Sequence, residues 1–152
     1  MHDQNSDQNA PRIVVGVDSS ECSKAALRWA ISQAQLTGAT VEAVAAWQDP
    51  AMYGYFSGWA PTVFDGDGIQ AITEKTLAET VADITGANGR PAQVATHVVQ
   101  GHPAQVLMDA AAGAQMLVVG SRGHGTFAGI LLGSVSQHCV QHAPCPVTVI
   151  PQ

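Results

Sequence analysis

Charged side chains are scarce in this sequence: only 12% of its 152 residues are Asp, Glu, Lys or Arg. Six are basic and twelve are acidic, so the formal net charge at pH 7 is -6. A nucleic-acid groove needs clustered Lys and Arg to neutralise phosphates, and this composition argues against one. The hydrophobic fraction of 46% is enough for a substantial core and argues against global disorder. The length predicts a single domain.

Cysteine is also sparse, with Cys22, Cys139 and Cys145 as the three in the chain. Three cysteines do not make a disulfide framework, and such a count is typical of a reducing compartment. No apolar run approaches the length of a membrane span, so we expect no membrane partner. The first residues are polar and acidic, which is not the pattern of a signal peptide. We therefore expect a disordered tail over residues 1–10, a domain over 11–152 and a cytoplasmic location.

Several catalytic signatures are missing. No G-x4-G-K-[ST] motif supplies a Walker A lysine, and no G-x-S-x-G elbow holds a serine nucleophile. Gly123-His124-Gly125-x-x-Ala128 nominally matches a dinucleotide fingerprint. It follows the fourth predicted strand, however, and no acidic residue comes after it to hold a ribose, so we discount a Rossmann dehydrogenase.

What the sequence does contain is a regular alternation of strand and helix patterns. Strands are predicted at Arg12–Asp18, Ala39–Trp47, Gln93–Val99, Leu117–Gly120 and Val147–Ile150. Helices are predicted after Ser19 or Ser20 up to Thr37, over Ile69–Ala87, from Pro103 towards Gly113 and over Ser134–His142. This order predicts an α/β fold: a doubly wound, five-stranded parallel sheet with helices on both faces. The apolar last strand, flanked by prolines, favours a sheet edge through which the chain dimerises.

The stretch from Met116 to Ser136 has an unusual glycine spacing, Gly120-x2-Gly123-x9-Gly133-Ser134. It predicts a buried strand, a glycine-rich loop and the start of a helix. Glycine tolerates positive φ and has no Cβ, so such a loop can lay backbone N–H groups against phosphate oxygens. A plain surface loop also uses glycine, and the spacing alone does not decide between the two.

Charge favours an anion in this part of the chain. No acidic residue follows Asp109, and Arg122 is the one cation near the glycines. Without a Walker lysine, phosphates would depend on backbone N–H groups, the helix N-terminus, the hydroxyls of Ser134 and Ser136, and Mg²⁺.

Two single residues have open roles. Asp18 follows the first strand, where open α/β sheets place their ligands, but it also precedes a helix that needs a capping oxygen. One carboxylate can do both, and neither role is preferred. His124 can approach a phosphate or act as an acid–base group, although we favour a solvated loop residue.

Two groups of residues allow a functional and a structural interpretation. The connection from Asp49 to Gly68 holds five of the eight aromatic residues: Tyr53, Tyr55, Phe56, Trp59 and Phe64. It is a lid or partner surface, or a crossover packed on its own side chains, and we favour the crossover. His138, Cys139, His142 and Cys145 suggest a zinc cluster, but Cys139 leaves the face that the histidines share. We favour buried cysteines and partly exposed histidines.

From Arg12 to Pro151 the sequence resembles the universal stress protein family. The resemblance is carried by RIVVGVDSSECSKAALRWA, VVQGHPAQVLMDAA, MLVVGSRGHG and LLGSVSQHCVQHAPCPVTVI. It is similar to the nucleotide-binding branch of that family, whose signature is G-x2-G-x9-G-[ST]. The resemblance implies an adenine nucleotide α-hydrolase-like fold and a homodimer through Val147–Ile150.

The resemblance also implies a site for ATP, accompanied by Mg²⁺. Asp18 is expected at the ribose or adenosine side, the backbone of Ala46 at the adenine, and Val119 and Gly120 along the nucleoside. Gly123, Gly133, Ser134, Val135 and Ser136 are expected at the phosphates, and Gly16 and Arg122 complete the set. Strand two has AVAAW where relatives often have a His-Val pair, but only backbone contact is expected there.

The leading hypothesis is an ATP-binding stress or regulatory protein in which ATP biases a conformational or oligomeric state. We expect at most slow hydrolysis, because no convincing base and no arginine finger beyond Arg122 is evident. One alternative is a dimeric interaction module of the same fold that needs no nucleotide. Another is an enzyme of the nucleotidyl-transfer or hydrolase type.

Overall fold

A computed structural model describes residues 10–49, 66–86, 93–123 and 132–151. Five strands lie in these ranges: β1 Arg12–Gly16, β2 Thr40–Trp47, β3 Val94–Gln100, β4 Met116–Gly120 and β5 Val147–Ile150. Four helices lie there too: α1 Glu21–Thr37, α2 Gly66–Gly86, α3 Pro103–Ala110 and α4 Ser134–His142. All neighbouring strands are parallel, in the order β3-β2-β1-β4-β5. The predicted five-stranded parallel sheet is confirmed, with β5 at one edge.

Helices cover both faces of the sheet. Ile13 and Val15 of β1 pack in one layer with Leu27 of α1, and Leu77 of α2 belongs to the same layer. Val14 lies on the opposite face, in a layer with Leu107 of α3 and Cys139 of α4. Because β1 is buried on both faces, its sequence is a continuous apolar run rather than an alternation.

The turn after β1 differs from its sequence prediction. The strand ends at Gly16, two residues earlier than predicted. Val17 still donates its N–H to the carbonyl of Val44 at 2.9 Å, but Asp18 turns away from the sheet to accept the N–H of Ser20 at 3.0 Å. Ser20 is the N-cap of α1, and its hydroxyl accepts the N–H of Ser23 at 3.2 Å. The helix ends at Gly38, whose φ of 74° favours glycine.

Other boundaries follow the predictions within a few residues. Helix α4 has the predicted limits, α2 begins at Gly66 rather than at 69, and α3 ends at Ala110. His102 caps α3 by accepting the N–H of Ala104 at its Nδ1, and Pro103 takes the first helical position. Among the helices of the described ranges, none has the length and hydropathy that crossing a bilayer requires.

Three predictions concern residues outside the described ranges. These are the disordered tail, the role of the aromatic connection from Tyr53 to Phe64, and the role of His124. They stay predictions.

Candidate functional site

The strand order reverses between β1 and β4, and a cavity of about 350 Å³ opens at this point, above the carboxyl ends of β1, β2 and β4. Ligands of open α/β sheets bind at such a reversal. All eleven residues predicted for the site line this one cavity: Gly16, Asp18, Ala46, Val119, Gly120, Arg122, Gly123, Gly133, Ser134, Val135 and Ser136.

Six further lining residues were missed in the sequence: Val17, Ser20, Ser23, Val44, Pro103 and Leu107. Their positions could have been inferred in part, because Val17 and Val44 adjoin predicted strand ends. Pro103 and Leu107 enter the cavity wall from α3, which only the tertiary packing reveals.

Asp18 and Gly123 lie against each other in the wall of the cavity. A Cβ at position 123 would lie 2.5 Å from Oδ2 of Asp18, a distance that no real contact of this kind allows. The other oxygen, Oδ1, supports the N-cap by accepting the N–H of Ser20. Asp18 therefore holds Ser20, the N-cap residue of α1, in place and lines the cavity, and its role towards a ligand stays a prediction.

Gly120 is required for packing rather than for the loop. A Cβ there would lie 2.7 Å from the Cβ of Cys22 and 2.8 Å from its carbonyl carbon. The missing side chain lets the first turn of α1 lie directly on the end of β4. Gly16 is similar, but the atom that a Cβ would meet at 2.7 Å is the terminal Cδ1 of Leu107.

The first turn of α4 points its N–H groups towards the cavity without a side-chain cap. Gly133 is the N-cap residue, and it offers no side-chain oxygen. The first N–H groups of a helix lack intrahelical partners, and the helix dipole makes this end positive. Ser134, the next residue, is exposed. The arrangement suits an anion.

Two hydrogen bonds attach this turn to the end of β4. Gly133 donates its N–H to the carbonyl of Ser121 at 2.7 Å, and Ser136 donates its hydroxyl to the carbonyl of Gly120 at 2.6 Å. The hydroxyl proton of Ser136 is therefore already committed to the backbone. Of the two serines predicted at the phosphates, Ser134 is the one suited to donate to a ligand.

Arg122 is the one basic side chain among the described residues that line the cavity. Its Nε is buried, and no hydrogen-bond partner for this atom exists among the described residues. Buried N–H groups are normally paired, so this one marks a place where a ligand acceptor would be favourable.

The backbone of Ala46 is exposed to the cavity because β1 stops short of it. In β2, Thr40 donates its N–H to the carbonyl of Pro11, and Val44 accepts the N–H of Val17 at its carbonyl. Both residues therefore direct their backbone polar groups towards β1. Val41 and Trp47 turn theirs towards β3. Alternation along a strand then directs the N–H and C=O of Ala46 to the β1 side, beyond the point where β1 ends at Gly16.

Comparisons with known proteins give the same family over almost the whole chain. Residues 10–151 match the family model described as the universal stress protein family. The chain belongs to the universal stress protein family. Universal stress protein Rv2623 of Mycobacterium tuberculosis is 37% identical over 155 residues, covering 98% of the chain. Universal stress protein Rv1996 of the same organism is 34% identical over 156 residues, covering 92%.

This universal stress protein domain spans about half the length of the curated relatives that it matches, 49% of Rv2623 and 48% of Rv1996. Solved structures of similar length share its fold. A universal stress protein from Archaeoglobus fulgidus in complex with dAMP is 27% identical, with a TM-score of 0.62 and coverage of 93% and 97% of the two chains. A universal stress protein in complex with cAMP is 25% identical, with a TM-score of 0.63 and coverage of 92% and 95%.

The structure separates the residues of the suggested zinc cluster, because Cys139 is buried whereas His138 and His142 are exposed. Among the described residues, no group of three or more His, Cys, Asp or Glu is arranged to hold a metal ion. Cys139 of α4 is fully buried in the core, and burial raises the pKa of its thiol. Burial also raises the pKa of the Cys145 thiol. Both thiols are therefore protonated near neutral pH, which disfavours metal binding.

Proposed function

We propose that this universal stress protein binds ATP with Mg²⁺ in the cavity at the ends of β1, β2 and β4, and that it acts as a regulator rather than as a dedicated enzyme. The observation that carries the proposal is that one cavity has two different polar regions, one at each end. One end offers the backbone N–H and C=O of Ala46, and the other offers the N-terminus of α4, which has no side-chain cap.

The Ala46 end suits adenine. Its N–H can donate to the N1 acceptor of adenine while its C=O accepts from the N6 amino group. Guanine carries the opposite pattern, an O6 acceptor beside an N1 donor, and would meet two repulsive contacts. Apolar side chains of Val44, Leu107 and Val119 among the lining residues provide surfaces for the base.

The α4 end suits phosphates. Backbone N–H groups at Ser134 and Val135, the Ser134 hydroxyl and the Arg122 guanidinium would hold phosphate oxygens. The missing side chain of Gly123 accommodates the Asp18 carboxylate in the wall of the same cavity. The Asp18 carboxylate is a hard oxygen ligand of the kind that Mg²⁺ prefers alongside phosphates, so the cavity fits the metal as well as the nucleotide.

The structures with bound dAMP and cAMP support the assignment, because those related proteins bind adenine nucleotides in the same fold. A triphosphate would use more of the positive α4 end than a monophosphate does. We further propose a cytoplasmic homodimer through β5, whose four residues are all partly exposed at the sheet edge. Hydrolysis would be slow, with ATP acting by biasing one conformational or oligomeric state.

Calorimetric titration with ATP and MgCl₂ tests the binding site. The substitution Gly123→Ala places a Cβ against Asp18 and should weaken ATP binding about tenfold or more, since the carboxylate must move. The matched control is Gly68→Ala in α2, where a Cβ meets nothing within 4 Å, and its ATP affinity should equal that of the parent. Equal ATP affinity in the Gly123→Ala variant would remove the glycine loop from the site.

GTP and AMP complete the comparison. Binding of GTP as tight as that of ATP would contradict the role of the Ala46 backbone. Binding of AMP as tight as that of ATP would limit the ligand to the nucleoside and its first phosphate, and the α4 end would lose its proposed role.

A further inference from the structure

Besides the proposed nucleotide cavity, the structure has a groove between α3 and α4, two helices that pack on the same face of the sheet. It has a volume of about 560 Å³, and its lining includes Met108 and Asp109 of α3 and His138 and His142 of α4. It shares no lining residue with the proposed nucleotide cavity. Its histidines have no part in the function proposed above.

His138 and His142 are one helical turn apart, and both are exposed at the groove. Their ring centroids lie 4.8 Å apart, with the ring planes tilted by 48°. Two imidazole nitrogens that bind one metal ion at about 2.0–2.1 Å in neighbouring positions are themselves about 3 Å apart. Rings at this separation reach that geometry by side-chain rotation alone, without a change in the helix.

The two rings are also available. No hydrogen bond or ion pair of the described residues uses either imidazole, so a metal ion would not have to displace a protein partner. Asp109 faces the same groove from α3, and its Oδ1 accepts a hydrogen bond from Nε2 of Gln105 at 2.8 Å. Among the described residues that line the groove, Asp109 is the one acidic side chain, and a carboxylate attracts a cation.

We propose that His138 and His142 form a surface site for a divalent transition-metal ion, with Cu²⁺ bound most tightly and Ni²⁺ and Zn²⁺ more weakly. Imidazole nitrogen suits these ions, and their order of affinity follows the general series for nitrogen ligands. Two imidazoles occupy adjacent coordination positions, and water fills the others. Mg²⁺, which prefers oxygen ligands, is excluded from this site.

Calorimetric titration with CuCl₂ tests the site on protein without a histidine tag. Every sample carries His2→Ala, so that a histidine close to the chain start does not compete for copper. The parent should bind one Cu²⁺ at the groove, and His138→Ala and His142→Ala should each weaken that binding about tenfold or more. The matched control is His97→Ala, because His97 is an exposed histidine on β3 with no place in the groove, and it should leave copper affinity unchanged.

Two further measurements separate ligation from a structural effect. The electron paramagnetic resonance spectrum of the bound copper should show two nitrogen ligands in the parent and one in each single variant. Cu²⁺ should raise the Tm of the parent but not of a variant that carries both His138→Ala and His142→Ala, because the one-turn spacing of the rings exists only in the folded helix. Circular dichroism checks that the exposed substitutions preserve the fold.

Unchanged copper affinity in both single variants would overturn the proposal, as would an equal loss in His97→Ala. Binding of MgCl₂ that competes with copper would also contradict it. The nucleotide cavity is a separate site, so ATP affinity should be the same in the histidine variants and the parent.

Discussion

Gly120 and Cys22 are so close that a Cβ on Gly120 would lie 2.7 Å from the Cβ of Cys22. This contact sets how near α1 can approach β4, and both elements form walls of the proposed nucleotide cavity.

Gly120→Ala should lower the free energy of unfolding by about 3 kcal/mol, because the added methyl meets backbone and Cβ atoms that cannot rotate away. Gly16→Ala adds the same methyl against the end of the flexible Leu107 side chain and should cost about 1 kcal/mol. Urea unfolding of the two variants measures the difference. Equal losses would mean that the α1 contact is no tighter than the α3 contact.

Ser136→Ala should lower the stability of the protein, whereas Ser134→Ala should lower its affinity for ATP. Ser136→Ala leaves the carbonyl of Gly120 without its hydroxyl donor and should cost about 1–2 kcal/mol of stability. Ser134 is exposed, so its replacement should leave stability within about 0.5 kcal/mol and weaken ATP binding instead. Urea unfolding and calorimetry on both variants test this, and a stable Ser136→Ala protein would argue against the role of that hydroxyl.

Arg12 of β1 connects β2 with the end of α3, at the end of the sheet opposite to the cavity. Its guanidinium lies 2.8 Å from Glu42 and donates to the carbonyls of Ala112 at 2.8 Å and Ala110 at 3.4 Å. Arg12→Ala should destabilise the protein by about 1–2 kcal/mol, mostly through the carbonyls after α3. Glu42→Gln, which removes only the partly exposed ion pair, should cost less than about 1 kcal/mol. Thermal unfolding of both variants distinguishes these contributions.

The buried thiol of Cys139 should make stability fall at high pH. Burial raises its pKa in the folded protein above the ordinary value of 9.0, so the unfolded chain loses its proton first. The unfolded state then binds fewer protons, and stability decreases as pH rises from 9 towards the folded pKa. Urea unfolding at pH 8 and pH 10 should show a larger decrease for the parent than for Cys139→Ala. The same decrease in both would assign the effect to other groups.

Dimerisation through β5 can be tested with two prolines. The carbonyls of Pro146 and Ile150 accept hydrogen bonds from the β4 side, so the backbone groups of Val149 face the open edge. Val149→Pro should therefore prevent pairing of two β5 strands while preserving the fold, and sedimentation velocity should show a monomer. Thr148→Pro removes an N–H that faces β4 and should destabilise the sheet itself. A dimer that survives Val149→Pro would exclude this interface.

The sequence was most informative where local chemistry decides the structure. The cap at Ser20, the helix end at Gly38 and both limits of α4 follow from side-chain type and spacing, and the structure has them. The resemblance also brought together residues from distant parts of the chain that do line one cavity. The role of Ser136 was beyond sequence reasoning, because the carbonyl that it binds lies 16 positions earlier in the chain. The requirement for glycine at position 120 likewise comes from its contact with Cys22 of α1, and the spacing of the glycines does not predict that contact.

The bond from Gly133 to Ser121 joins the two ends of the glycine-rich segment through the backbone alone. Both of its anchors adjoin regular elements, β4 on one side and α4 on the other. The start of α4 is therefore fixed to the end of β4 by main-chain atoms. Substitutions of the side chains at positions 121 and 133 leave the donor and the acceptor of this bond in the chain, except for proline at 133, which would remove the N–H.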